Sequence, residues 1–542
     1  MTATDISPTT VGVRTVDVIV IGAGFSGIDM VAQLLEQGRS VQGIEAGSGV
    51  GGTWYWNRYP GARCDCISLE YQYTRFRHLV EEFRPSERYP AQPEILSYLQ
   101  NAADKLGVTE HFRFNTRVTS ATYDQDANRW LIRTDRGEEY RCKWFIPAVG
   151  CLSTGQIPDF PGLANYRGET YHTGTWPKGG VDLAGKRVAV IGTGSSGVQV
   201  IPEVAKQAAS LTVFQRTPAF SLDYGPLPMD AQVRDEFVAN FDDYVHKSRT
   251  TPAGQYTEPL PHSALEHSEE ERNAVYEERW NRHRAIDLIA VYPDLFTNMD
   301  ANHTISEFFR GKIRSKVTDP ALAETLSPRT YPLGAKRMTL NTGYFETYNR
   351  ENVRLVDLRQ DPLLEFTETG IRTESGEHEF DAVIFATGFD AVTGSWLKLN
   401  ITGRDGAKLA DAWADGPETY LGLMVSEFPN MFMITGPGSP NVLTNVVCAI
   451  EQHVDWVAEA IAHFEEHDVQ TVEADETAQT EWTETCAEMA AYTLYPEGNS
   501  WYTGANIPGK PKVMMSYVGG LDGYRRICDD VRDDSYRGFI VK

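Results

Sequence analysis

Two glycine-rich runs stand 170 positions apart in this chain, Gly22-Ala23-Gly24-Phe25-Ser26-Gly27 and Gly192-Thr193-Gly194-Ser195-Ser196-Gly197. Glycines at the first, third and sixth positions let a backbone turn sharply and approach a pyrophosphate seated on the N-terminus of the following helix. An apolar strand-like run precedes each loop and helical apolar spacing follows it, which is the context the chemistry requires. What comes next differs. Glu45 stands 23 residues after Gly22, where a carboxylate accepts hydrogen bonds from ribose hydroxyls. The position 23 residues after Gly192 is Gln215, followed by Arg216 and Thr217. A 2′-phosphate repels a carboxylate and is held by a guanidinium. The first loop therefore suits a dinucleotide with a plain ribose, FAD, and the second suits NADPH, with Arg216 and Thr217 as phosphate ligands.

Two such sites on one chain let hydride enter at one dinucleotide and oxygen be activated at the other. Just after the first unit, the segment 51–61 (Gly51-Gly52-Thr53-Trp54-Tyr55-Trp56-Asn57-Arg58-Tyr59-Pro60-Gly61) concentrates flat rings where an isoalloxazine would extend, and Asp65 follows four residues later. A carboxylate in so apolar a setting needs a cationic or hydrogen-bonding partner. Shortly before the second loop lies Tyr166-x-Gly168-x-x-x-His172-x-x-x-Trp176-Pro177. Cys64-x-Cys66 lacks the two-residue gap and further ligands of a metal site, so both are read as small buried residues and no metal is expected.

These residues must be carried by a large frame. At 542 residues roughly three domains are expected. The formal charge of −25 disfavours nucleic acid and anionic membranes. Seven scattered cysteines form no disulfide framework, and no run is long enough to span a bilayer, so a reducing cytoplasm is the expected compartment. The N-terminal dozen residues lack the basic and apolar regions of a secretory signal and are expected to be unprocessed. The apolar pattern predicts strand, helix and strand over 16–21, 28–35 and 41–44, and again over 187–191, through Val198, Ile201 and Val204, and over 211–214. From 226 to 330 charge is dense and apolar residues fall at helical spacing (Phe237, Phe241, Tyr244), which predicts a helical insertion acting as a lid or lobe. Strands are expected at 353–356 and 380–385, helices at 446–464 and 475–492, and strands and loops over the last 40 residues.

The run 166–177 resembles the FxGxxxHxxxW(P/D) motif of the type I Baeyer-Villiger monooxygenases, and 51–65 matches every fixed position of their second motif, (A/G)GxWxxxx(F/Y)P(G/M)xxxD. The resemblance covers nearly the whole chain, through Ala386-Thr-Gly388-Phe-Asp390, Gly436-Pro-Gly-Ser-Pro440 and Trp501-Tyr-Thr-Gly-Ala-Asn506, and is strongest to members acting on phenylacetone, then steroids and cyclohexanone. It implies an α/β fold of two Rossmann-like dinucleotide-binding domains with a helical insertion. FAD-binding parts would run over 1–150 and 381–542, the latter with the substrate loop. NADP-binding parts would run over 151–225 and 331–380, around the insertion at 226–330. The implied activity is insertion of one oxygen atom of O2 beside a ketone carbonyl to give an ester or lactone by way of a C4a-peroxyflavin. Arg337 would be the active-site arginine, oriented by Asp65, with Lys336 on the nicotinamide nucleotide's phosphate. Flavin contacts carry over to Ser26, Gly52, Thr53, Trp54, Tyr71, Val118 and Val446, and nicotinamide-nucleotide contacts to the second loop, Gln199 and Trp501. The substrate would be lined by Pro440, Asn441, Val442, Leu443 and Cys151. Asn441, Val442 and Cys151 depart from the phenylacetone-oxidising members, as Tyr166 departs from the usual Phe. His172 is assigned a conformational role. The enzyme is expected to be a monomer or weak homo-oligomer. The nearer alternative is a flavin-dependent N- or S-oxygenase, which usually ends the intervening motif without Trp-Pro; the more distant is a non-catalytic flavin redox sensor.

Overall fold

The computed structural model describes residues 12–542; the expectation for the N-terminal segment falls on residues 1–11, which lie outside the described residues. The first frame is a four-stranded parallel sheet built from β1 (Val18–Ile21), β2 (Val41–Ile44), β3 (Phe112–Arg113) and β4 (Trp144–Pro147), in the order β3-β2-β1-β4. All four residues of β1 and of β4 are buried, because a parallel sheet is covered on both faces and its strands must be apolar throughout. The helix α1 (Phe25–Glu36) crosses from β1 to β2.

The second frame repeats the arrangement. Here β5 (Glu169–His172), β6 (Arg187–Ile191), β7 (Ser210–Gln215), β8 (Val353–Asp357) and β9 (Ala382–Phe385) form a five-stranded parallel sheet ordered β8-β7-β6-β9-β5. The helix α2 (Ser195–Ala205) follows β6 as α1 follows β1. The two βαβ units sit where the apolar pattern places them. The boundary expected at 380 is corrected: β9 pairs with β6 and β5, so the second frame extends through Phe385. That pairing joins residues nearly two hundred positions apart and leaves no local trace.

Between the frames' halves lies the insertion, with helices that include α3 (Phe241–Arg249), α4 (Ala285–Ile289) and α5 (Met299–Lys316). Capping is explicit: Asn298 accepts from the backbone N–H groups of Asp300 and Ala301 at the start of α5, and Ser268 with Glu271 forms a capping box before Glu269–Asn281. The insertion's core, with Tyr276, Leu288, Tyr292, Leu295, Ile305 and Phe309 buried together, also takes in Tyr89 of the first frame and the flanking Phe220, Leu222, Tyr331 and Leu333. Ser221–Asp223 and Thr339–Asn341 pair in parallel at its root and set the position of the segment just before Thr339.

The chain returns to the first frame through α6 (Val446–Glu466), which packs on α1. Residues 503–542 are not the strands and loops expected of them. They contain α7 (Leu521–Asp533), and the strand Phe539–Val541 pairs with Val472–Ala474. Leu521, Tyr524, Cys528 and Val531 make a buried stripe at helical spacing, masked in the sequence by the Asp and Arg residues between them. Among the described residues no helix is long and apolar enough to cross a membrane.

Candidate functional site

At the first loop Gly24 caps α1 without a side-chain hydrogen bond, so the first-turn N–H groups face the loop mouth. A Cβ on Gly52, at φ +51°, would lie 2.7 Å from the Gly24 Cα, so position 52 requires glycine where these backbones meet. Glu45 accepts from the backbone N–H of Ala23 at 2.9 Å and of Gly47 at 2.5 Å, leaving lone pairs on both oxygens for further donors. Burial raises its pKa and those two N–H groups oppose the rise. Trp54 Nε1 donates to the Tyr71 hydroxyl at 3.1 Å, and the Tyr71 ring stands edge-on to Phe25 at 5.2 Å. Thr53 is exposed, Ser26 is buried in the first turn, Val446 packs on the same core and Val118 is buried in the neighbouring one.

At the second loop Thr193 Oγ1 donates to the Thr217 carbonyl at 2.8 Å, and Thr339 Oγ1 donates to Ser195 Oγ at 2.7 Å. Gly194 caps α2 and a Cβ there would meet nothing within 4 Å. Ser196 is half-buried. Gln199 turns away from the loop mouth: its Oε1 accepts from Tyr59 at 2.9 Å and its Nε2 donates to the Arg63 carbonyl at 3.0 Å, joining the two frames. Arg216 is exposed and makes no ion pair among the described residues. Lys336 lies over the Tyr331 ring and donates to the Asn499 carbonyl at 3.2 Å. Burial, and then the repulsion of Arg216, push its pKa down to about 8. Two cations held together without a carboxylate are the donor set a phosphate dianion requires.

Arg337 joins the segment after the first unit to the loop before α6. Its Nε and Nη2 donate to the Asp65 carboxylate, each at 2.7 Å, and its Nη1 donates to the Val442 carbonyl at 2.8 Å. Three of its five N–H groups are thereby used and two remain. The side chain is 34% exposed, toward a cavity of about 100 Å³. Burial works against its charge, but the Asp65 carboxylate overrides that and holds the guanidinium pKa well above its ordinary value. Asp65, Arg337 and Leu443 line this cavity. Val442 contributes its carbonyl. Asn441 is fully buried, with its Oδ1 accepting from Ser516 Oγ at 2.8 Å, and Pro440 is buried beside it, so these two shape the loop from behind. Cys151 packs with Trp501, Leu152, Ala391, Val392 and Met515, and burial pushes its thiol up to about 11.

The intervening motif serves as packing. Tyr166 donates its hydroxyl to the Phe380 carbonyl at 3.0 Å, and Gly168 leaves room for that ring. Trp176 is buried against Tyr171 and shares a core with Tyr59 and Ala62 from the segment leading to Asp65. His172 ends β5, where burial lowers its pKa and its Nδ1 accepts from the Gly174 N–H at 3.0 Å. It contacts no residue of the cavity wall. Sequence reasoning missed Tyr502, buried beside Arg337, and the cavity's outer wall of Ala285, Ile286, Ile289 and Phe296 from the insertion. Only the helical spacing of the insertion hinted at that wall.

The flavin-binding monooxygenase-like family matches residues 15–225. A Baeyer-Villiger monooxygenase of Pseudooceanicola batsensis is 43% identical over 97% of this chain and 96% of its own. The chain belongs to the Baeyer-Villiger monooxygenase family. A phenazine N-monooxygenase of Lysobacter antibioticus is also similar, 41% identical over 97% of each chain, so the neighbourhood of this family includes an N-oxygenating member. Among solved structures, an oxidized steroid monooxygenase bound to NADP aligns at TM-score 0.93 with 46% identity, covering 97% of this chain and 99% of that one. The complex of OTEMO with FAD and NADP aligns at TM-score 0.94 with 38% identity, covering 98% and 100%. Both Baeyer-Villiger signatures read from the sequence, 51–65 and 166–177, fall at the junction between the two frames, where Trp176 meets Tyr59 and Ala62.

Proposed function

We propose that this protein inserts one atom of O2 beside a ketone carbonyl, giving an ester or lactone, with FAD at the first loop and NADPH at the second. The observation that carries the reading is the clamp on Arg337, which fixes a permanent cation on the wall of a cavity in a chain that carries two dinucleotide loops. Bound flavin, reduced by the nicotinamide nucleotide, supplies the activated oxygen. The chain's residues do the rest. Gly22, Gly24, Ser26, Gly27 and Gly52 admit the FAD pyrophosphate, Glu45 accepts from its ribose, and Thr53, Trp54, Tyr71, Val118 and Val446 bound its ring system. Gly192 to Gly197 admit the second pyrophosphate, Arg216, Thr217 and Lys336 hold the 2′-phosphate, and Trp501 bounds the nicotinamide end. Asp65 and the Val442 carbonyl aim the two remaining Arg337 N–H groups at the oxygen on which negative charge develops, in a cavity whose apolar wall excludes water. The compartment would be cytoplasmic, with no nucleic-acid partner and a monomeric or weakly associating chain.

The test is product analysis with 18O2, NADPH and a ketone beside a tertiary amine and a sulfide. One labelled oxygen in an ester is the expected result. N-oxide or sulfoxide with no ester from any ketone would replace this reading with the oxygenation of heteroatoms, which the similarity to the phenazine enzyme makes the second reading.

Lys336 adds a pH dependence. In the protein without nucleotide its pKa is pushed down to about 8. A phosphate favours the charged form, so NADPH affinity is full below that value and is lost as pH rises through it. The KM for NADPH is expected to climb up to about tenfold per unit above pH 8, while that for NADH stays flat. Parallel profiles for the two nucleotides would remove Lys336 from the phosphate site.

A further inference from the structure

We infer that Glu70 is a positioning residue: a single buried carboxylate that docks the helical insertion, and with it the outer cavity wall, onto the two groups that clamp Arg337. The inference rests on the oxygen-insertion reading only for its consequence in catalysis. The Glu70 side chain is 2% exposed. Its Oε1 accepts from Arg284 Nη2 at 2.5 Å and from the Tyr244 hydroxyl, while its backbone carbonyl accepts from Asn445 Nδ2 at 2.8 Å. Arg284 Nη1 also donates to Asp287 Oδ1 at 2.7 Å. Tyr244 lies on α3, Arg284 directly precedes α4, and Asn445 precedes α6.

The positions of these partners give the contacts their meaning. Glu70 is five residues beyond Asp65, and Asn445 is three beyond Val442, so Glu70 is bonded to the continuation of both segments that hold Arg337. On its other side, Arg284 begins the stretch whose Ala285, Ile286 and Ile289 line the cavity opposite the clamp's own Ile67 and Leu443. The seam has further links: Arg234 Nη2 donates to the Glu81 carbonyl at 2.6 Å, Arg249 Nη2 to Thr74 Oγ1 at 3.1 Å and the Tyr89 hydroxyl to the His283 carbonyl at 2.9 Å. Beside Glu70 lies a small second cavity of about 20 Å³, bordered by Gln72, Thr74, Ser248 and Arg249, and the buried Gln72 Oε1 and Ser248 Oγ have no partner among the described residues. Apolar contact there is confined to a small cluster of Leu69, Val80, Phe237 and Phe241. Glu70 is the link that bears directly on Arg284 and the wall after it, so its removal frees that wall to move, while the core around Tyr276, Leu288 and Phe309 keeps the insertion folded.

Removing Arg284 alone leaves Glu70 buried as an uncompensated charge, which would destabilise the protein whether or not the contact positions anything. The informative variant is therefore Glu70→Gln combined with Arg284→Met, in which Glu70 is no longer charged and Asp287 keeps the Arg282 guanidinium at 4.0 Å. Its melting temperature and flavin content are expected to match the parent's. Its KM for ketone is expected to rise about tenfold, and most of its NADPH to end as hydrogen peroxide, because the substrate is no longer held near the clamp. Hydrogen exchange in peptides covering 63–72, 284–289 and 439–446 is expected to speed up together. Arg284→Lys should restore part of the coupling. A double variant with parental ester yield, or with exchange unchanged in those peptides, would overturn the proposal. The exchange measurement needs no turnover, so it tests the docking even if the enzyme proves to make no ester.

Discussion

Arg337→Met is expected to give a folded, yellow protein that NADPH still reduces and that yields hydrogen peroxide and no ester, with ester formation down on the order of 10³-fold or more. The argument is electrostatic. An arginine cannot lose its proton in a protein, and here Asp65 reinforces its charge against the opposing effect of burial. The bidentate pair with Asp65 and the third bond to Val442 leave the side chain no freedom, so its two unused N–H groups sit in place before charge develops. Methionine keeps the volume and removes all of this. Arg337→Lys should fare nearly as badly, since an ammonium group cannot hold both Asp65 oxygens in a fork and still reach Val442. The measurement is ester yield per NADPH consumed, by mass spectrometry beside peroxide detection. A methionine variant with parental ester yield would dismiss the clamp from the chemistry.

The parts of this protein legible in its sequence are those whose demands are local. A glycine loop between an apolar strand and an amphipathic helix announces itself, and both βαβ units lie within a few residues of their expected places. The contrast between Glu45 and Gln215-Arg216 was likewise readable, because both sit at a fixed offset from their loop. The clamp was not readable from spacing. Asp65 and Arg337 are 272 positions apart, and a Lys-Arg pair looks like any solvated surface; family resemblance alone singled it out. Glu70, Arg284 and Asp287 were invisible for the same reason, since their partners are distant in sequence or look solvated there and only folding shows that they are buried. Strand β9 shows the limit at the level of topology: its apolar run was evident, but its partner could not be, so its domain was misassigned. In α7 the helical stripe was present but outnumbered by charge.

The two loops look alike in sequence, and in each the third and sixth glycines, such as Gly194 and Gly27, are expected to respond differently to substitution. In the first, Gly27 sits in the opening turn of α1, and a Cβ there would lie 1.8 Å from the Gly22 carbonyl oxygen. Backbone cannot yield at that distance without opening the turn, so Gly27→Ala is expected to give a colourless, poorly folded chain with no oxygenation of any substrate. Gly194 is the opposite case. The space beside it is open and its backbone is extended, at φ −77° and ψ −165°, which alanine adopts without strain. Nothing in the protein itself demands glycine at this position; what would demand it is a pyrophosphate brought against the backbone. Gly194→Ala is therefore expected to fold, melt and retain flavin as the parent does, while its affinity for NADPH falls about tenfold or more, read as the concentration dependence of flavin reduction in stopped flow. Unchanged NADPH affinity in that variant would mean that the nucleotide does not lie on α2, and the assignment of the second loop would have to be withdrawn.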